Sequence, residues 1–291
     1  MTKKIAVIND LSGFGKCSLT AAISVVAAMG VQPCPLPTAI LSAQTGYPCY
    51  YYDDYTDRME NITREWQKMD VHFDGIYTGF ISGEHQIRKV LEFLDIFCRE
   101  DTFLLVDPVM GDNGVRYPVF TSRMESEMKE LTARADIITP NLTELCLLTD
   151  RDCRMTEEIR RKEQIITAAE EMARELMTGK TKEAVVTGIR YREEADGREM
   201  MGNLAVTEEG TAFAAFPFIG DSYSGTGDLF ASVVAAGMAR GDRLSDSMAL
   251  AGAMIERAIE DAVRDGVPRN DGVEYEQYLW MLGEKNRLAG A

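Results

Sequence analysis

Histidine is almost missing from this sequence: His72 and His85 are the only two in 291 residues. A zinc centre or a Ser-His-Asp triad is hard to assemble from so few, and both read as surface or capping residues. Positive charge is also short, with 31 Lys and Arg against 47 Asp and Glu, a formal charge of −16. Such a surface repels nucleic-acid phosphates and anionic lipid headgroups, so neither is an expected partner. Paired cysteines are lacking as well. Cys17, Cys34, Cys49, Cys98, Cys146 and Cys153 form no C-x-x-C, and most fall inside apolar periodic segments, the usage of reduced core thiols in a cytoplasmic protein. Finally, no apolar run is long enough to cross a bilayer. The start "MTKKIAVIND" stops at Asn9, and the stretch from Leu19 to Val31 is broken by Thr20 and Ser24. The chain reads as a protein without a membrane or export signal.

What is present is strand and helix in alternation. "KIAVIN" has the continuous apolar pattern of a strand buried on both faces, and "SLTAAISVVAAMG" reads as a helix ending at Gly30. The proline-punctuated "QPCPLPTAILSAQTGYP" predicts pieces of extended chain, and residues 56 to 69 a helix. "FDGIYTGF", "FLLVD", "DIITP" and "EAVVTG" read as strands. "EHQIRKVLEFLDIFCRE", "TSRMESEMKELTARA", "NLTELCLLT", a long segment around 155 to 178, and two segments at about 225 to 240 and 244 to 264 read as helices. "GDNGVRYP" is expected to be a loop, and "MGNLAV" and "TAFAAF" two strands around the turn "EEG". The alternation predicts an α/β fold, a three-layer α/β/α sandwich on a mostly parallel central sheet. With no repeat, linker or low-complexity segment, a single domain over residues 1–291 is the simplest organisation, its tail from about 275 having no readable role.

Two glycine turns compete for the role of anion site. The first, "NDLSGFGKCS", fails as a Walker loop: Cys17 follows Gly15-Lys16 where Ser or Thr is required, and Asp10 stands where the first glycine should be. It also fails the G-x-G-x-x-G fingerprint, because Ser18 replaces the third glycine. What remains is a strand end and a βα turn, with Asp10 and Ser12 as polar groups of a substrate wall or as ordinary turn and capping residues. The second, "SGTGDLFAS", places Gly225-Thr226-Gly227-Asp228 before a small-residue helix. Glycines at a helix start let backbone N–H groups face an anion without a lysine. An acid beside that anion suits an attacking hydroxyl that must be oriented and deprotonated, although Asp in a first turn also serves as a cap.

The middle of the chain delivers further polar groups to the carboxyl ends of strands, the edge where open α/β sheets bind ligands. Asp107 ends "FLLVD" and Asp112 follows in its loop, Asn141 and Glu144 open "NLTE", and Thr187 ends "AVVT". Acids gathered there suit a hydrated Mg²⁺ bridging nucleotide phosphates.

The stretches "SAQTGYP", "YTGF", "VDPVMGDNG", "ADIITPNLTEL" and "SGTGDLFAS" occur in the order found in the ribokinase superfamily, and the chain most resembles its pyridoxal/pyridoxamine kinases over about residues 5 to 240. The resemblance implies a ribokinase-like fold, ATP and Mg²⁺, and phosphorylation of the 5′-hydroxymethyl group of pyridoxal, pyridoxine or pyridoxamine. It leaves open whether a monovalent cation is needed, and it implies a homodimer. By motif, Asp228 would be the catalytic base and Gly225, Thr226 and Gly227 the anion hole. Asp107, Asp112 and Glu144 would organise the metal, with Asp107, Asn141, Glu144 and Thr187 along the nucleotide phosphates. Thr45 and Gly46, with Asp10 and Ser12, would meet the acceptor, and Phe80 would pack on its ring. The chain departs from many pyridoxal kinases at Asp10, Gln44 and Phe80, where serine, histidine and tyrosine are usual. Asp10-x-Ser12-Gly13 is instead similar to the hydroxymethylpyrimidine kinases of the same superfamily, which typically carry GTGC where this chain has GTGD. The alternatives are therefore a hydroxymethylpyrimidine (phosphate) kinase, or a catalytically silent ligand-binding protein on the same scaffold.

Overall fold

A strand that is apolar at consecutive positions must be covered on both sides. In the computed structural model, which describes residues 1–153, 161–220 and 222–283, "KIAVIN" lies in β1 (Lys4–Ser12). Ala6 and Ile8 enter one core while Ile5 and Val7 enter the other. The same split recurs in β4 (Gly75–Thr78), β5 (Phe103–Val106), β8 (Ile137–Ile138) and β9 (Glu183–Arg192). Leu104 and Val106, for example, face one core and Leu105 the other. The first core is closed by α2 (Thr56–Lys68), α3 (Glu84–Phe97), α4 (Ser122–Ala133), α5 (Leu142–Leu148) and α6 (Lys162–Leu176). The second is closed by α1 (Ser18–Ala28), α7 (Thr226–Arg240) and α8 (Leu244–Arg264). These are the three layers of an α/β/α sandwich.

With β2 (Gln32–Leu41), β3 (Tyr52–Asp54), β10 (Glu199–Thr207) and β11 (Gly210–Pro217), the sheet runs β11-β10-β9-β8-β5-β4-β1-β2-β3. From β9 to β2 every pairing is parallel, so those strands share one carboxyl edge. Antiparallel strands close both ends.

Two readings are refined. The expected extended pieces of 32–48 include one ten-residue strand, despite Pro33, Pro35 and Pro37. The Gln32 N–H donates toward β1, to Lys3, so the odd-numbered positions point away from it, and β3 pairs only from Ala39 onward. The prolines thus lose no ladder bond. The segment "GDNGVRYP" is not simply a loop. It holds a hairpin of β6 (Gly111–Asp112) and β7 (Val115–Arg116), turned by Asn113 and Gly114 with φ of 49° and 75°. Positive φ at both turn residues is what an Asn-Gly hairpin turn requires.

Of the helix read around 155 to 178, residues 154–160 lie outside the described residues, as do Asp221 and residues 284–291 of the tail. Earlier in that tail, Glu276–Gly283 is 3₁₀ helix with Leu282 buried against the α1–α7–α8 core. The six cysteines carry thiols rather than disulfides; Cys17 and Cys146 are buried, but Cys49 is exposed rather than in the core. Among the described residues no helix is long and apolar enough to cross a membrane.

Candidate active site

Because the strands from β9 to β2 are parallel, their carboxyl ends bring Asp10, Phe80, Asp107, Asn141 and Thr187 to one edge. There all the site residues read from the sequence, from Asp10 through Asp228, line one cleft of about 1660 Å³.

The turn before α7 is built by Gly225, whose backbone is left-handed at φ 84°. A Cβ at that position would collide with the Lys16 carbonyl, so no other residue fits. The N–H groups of Thr226, Gly227 and Asp228 meet no acceptor among the described residues. A Cβ on Gly227 would meet nothing within 4 Å, which leaves open space beside those donors. Helix α7 is buried continuously from Leu229 to Gly237, holding this N-terminus rigidly against the sheet. The first glycine motif takes no part as a cation: Lys16 is tied to Glu274 at 3.2 Å and Glu276 at 3.0 Å.

Asp228 points back across the sheet edge. Burial pushes its carboxyl up to about 6 and the Asp10 charge adds to this, while the Ser18 N–H and the Asn9 amide favour the ionised form. The Asn9 amide donates to one carboxylate oxygen at 2.9 Å. A carboxylate so poised is charged at neutral pH and takes a proton near pH 6, the behaviour of a general base.

Asp107 lies across the cleft, accepting a bond from Thr139 Oγ1 at 2.9 Å. Burial raises its pKa and the Asp228 charge raises it further. Glu144 is raised too, by burial first and then by the Asp107 charge. Glu144 is also a brace. It completes a capping box with Asn141, accepts the Asn141 N–H at 2.8 Å, and accepts the Met110 N–H at 3.1 Å. Asp112 faces its own hairpin turn, both oxygens bonded to Asn113 at 2.8 Å. Among the described residues no three His, Cys, Asp or Glu side chains converge as a ready-made metal cage. Two oxygen donors whose charge is held back by burial and mutual repulsion fit a hard cation that brings its own waters and phosphate ligands.

At the other end, Asp10 is buried, its oxygens taken by Ser12 Oγ at 2.7 Å and Ser18 Oγ at 2.6 Å. Thr45 and Gly46 sit on an exposed turn, and Phe80 is half-buried in the cleft wall. Three residues that the sequence did not single out for the site organise its surroundings. Gln44 is buried and links the turn to the opposite wall, donating to Ser224 Oγ at 3.2 Å and the Asn270 carbonyl at 3.1 Å, and accepting the Gly46 N–H. The Tyr47 hydroxyl donates to Asp271 in the same seam. Asn9, fully buried, holds Asp228; its signal was a polar residue ending an apolar strand.

Residues 15–271 match the family model described as phosphomethylpyrimidine kinase. The chain belongs to that family. Its fold matches at 35% identity a Bacteroides thetaiotaomicron protein crystallised with pyridoxal under the phosphomethylpyrimidine kinase name, with a TM-score of 0.86 over 97% of this chain and 96% of that one. A pyridoxal kinase from Lactobacillus plantarum is 26% identical, with a TM-score of 0.82 over 99% of both chains. The pyridoxine/pyridoxal/pyridoxamine kinase of Bordetella avium is 27% identical over 86% of this chain and 79% of its own length. The resemblance read from the motifs is therefore met in family, sequence and fold.

Proposed function

We propose that this protein is a pyridoxal kinase, transferring the γ-phosphoryl group of ATP to the 5′-hydroxymethyl group of pyridoxal, pyridoxamine or pyridoxine. The observation that carries the reading is Asp228: a desolvated carboxylate set in the first turn of a helix whose leading N–H groups are free. In this arrangement Asp228 orients the acceptor alcohol and takes its proton as the oxygen attacks. The N–H groups of Thr226, Gly227 and Asp228 hold the charge that develops on the transferring group. Asn141 and Thr187 lie along the nucleotide phosphates, and the same cleft is lined by the apolar Phe216 and Ile255, suited to an adenine, and by the amide of Asn203. A Mg²⁺ held through water by Asp107 and Glu144 would neutralise charge on the β- and γ-phosphates. Thr45, Gly46 and Phe80 face the acceptor ring, with Asp10 and Ser12 behind it. The hairpin at β6–β7, with Tyr117 and Val119 exposed beyond it, is placed to close over the cleft and exclude water.

A panel of pyridoxal, pyridoxamine, pyridoxine and hydroxymethylpyrimidine, each with ATP and Mg²⁺, tests this by ADP release. Preference for the three B6 vitamers supports it. Preference for hydroxymethylpyrimidine would transfer the assignment to the second reading, which the Asp10–Ser12 pair favours. No ADP release with any acceptor would mean a binding protein on a kinase scaffold.

A further inference from the structure

We propose that Asn9 is a positioning residue for the phosphoryl transfer, holding the base Asp228 and the acceptor wall at Phe80 in one fixed unit. The proposal rests on the kinase reading above. Asn9 is fully buried at the end of β1. Its Oδ1 accepts two backbone N–H groups, from Asp10 and from Phe80, both at 2.9 Å. With the oxygen committed to those two donors, the amide nitrogen must be the atom facing Asp228, and it donates to Oδ1 at 2.9 Å. One planar group therefore reads three partners: the neighbouring residue, the strand end that carries the ring-facing Phe80, and the carboxylate from the far end of the chain. Nothing in the amide can rotate without breaking at least one of them.

A second feature points the same way. Gly79, in the "YTGF" stretch, packs so closely that a Cβ there would run into the Asn9 amide. The glycine is needed because Asn9 occupies the space.

The chemical consequence is a fixed orientation of Asp228. With Oδ1 held by Asn9 inside the protein, the carboxylate meets the alcohol from one direction. Asp10, Cys17, Tyr77 and Asp107 are the other titratable groups close enough to interact with Asp228. None of them donates a side-chain hydrogen bond to it among the described residues. The Ser18 backbone N–H also favours its charged form, but a backbone group cannot be exchanged by substitution.

The discriminating variant is Asn9→Asp, which keeps an oxygen for the two backbone N–H groups and replaces only the donor facing Asp228. Turnover should fall about 10- to 100-fold, the scale of one hydrogen bond to a charged group, with KM for the acceptor little changed. The melting temperature should fall too, because two carboxylates now face each other. Adding Asp228→Asn should restore the melting temperature, since an amide again faces a carboxylate, while turnover stays at the level of Asp228→Asn alone. Wild-type turnover and melting temperature in Asn9→Asp would overturn the proposal. If that variant does not fold, Gly79→Ala decides: a loss of kcat at near-constant KM supports it, and unchanged kcat refutes it. Should Asp228→Asn itself keep full turnover, the kinase mechanism falls; should it be inactive while Asn9→Asp is normal, only the positioning role falls.

Discussion

Replacing Asp228, the proposed base, should make this protein more stable. Asp228 ordinarily would ionise near 3.8, and burial with the neighbouring Asp10 charge pushes it up to about 6. The folded state therefore holds the proton more tightly than the unfolded state does. For such a group the folded protein has no penalty below about pH 4, and loses stability as pH rises from there through 6. The shift of about 2 units corresponds to about 3 kcal/mol at pH 8, and about half of that at pH 5. Asp228→Asn removes the cost of holding a charge but can accept fewer of the donors facing it, which include Asn9 Nδ2 and the Ser18 N–H. One lost bond returns about 1 kcal/mol. The net gain at pH 8 is about 2 kcal/mol, or roughly 4 °C in a chain of this size, shrinking to about 0.5 kcal/mol, or roughly 1 °C, at pH 5. Thermal unfolding of the wild type and Asp228→Asn at both pH values measures it, alongside a turnover expected to drop about 10²–10⁴-fold. A variant that is destabilised at pH 8, or whose gain does not change with pH, would refute the electrostatic reasoning.

The same carboxyl sets the acid limb of activity: kcat/KM should decline tenfold per pH unit below about pH 6, and a profile flat to pH 5 would remove Asp228 as the base. The glycines of the anion turn should separate in character. Gly225→Ala meets the Lys16 carbonyl and a left-handed backbone, so it should lower the melting temperature and the activity together, by more than about 1 kcal/mol in stability. Gly227→Val projects into open space, so it should leave the melting temperature within a degree or two while cutting turnover by about 3 kcal/mol in barrier. Asp107→Asn should make activity require much higher Mg²⁺, read by titrating the metal at fixed nucleotide, and an unchanged Mg²⁺ dependence would exclude it from that role.

The layers of the fold were legible because periodicity reports burial. "KIAVIN" and "FLLVD" could only be strands covered on both faces, and "SLTAAISVVAAMG" only a buried helix. The carboxyl-edge polar groups were legible for a related reason, since a parallel sheet leaves its ligand edge where strands end in Asp, Asn or Thr. The three prolines of β2 hid a continuous strand, because their meaning depends on which edge of the strand lacks a partner. The Asn113-Gly114 turn carried a readable hairpin signal, but its flanking strands have only two residues each, below the length at which alternation can be seen. Asn9 and Gln44 act through partners more than 170 residues away in sequence, and a single chain's local pattern carries no record of such pairings.

The rejected glycine-lysine turn turns out to be the seat on which the proposed anion turn rests, with the Lys16 carbonyl against Gly225 and its ammonium clasped by Glu274 and Glu276. That clasp has a consequence for biosynthesis. Asn9 and Lys16 reach their final surroundings only after Asp228 and Glu276 have left the ribosome, since the first pair is separated by 219 positions and the second by 260. Contacts of such range form slowly and late. A half-made polypeptide would therefore lack a competent nucleotide pocket, and chemistry would begin only when the ring of contacts between its two ends has closed.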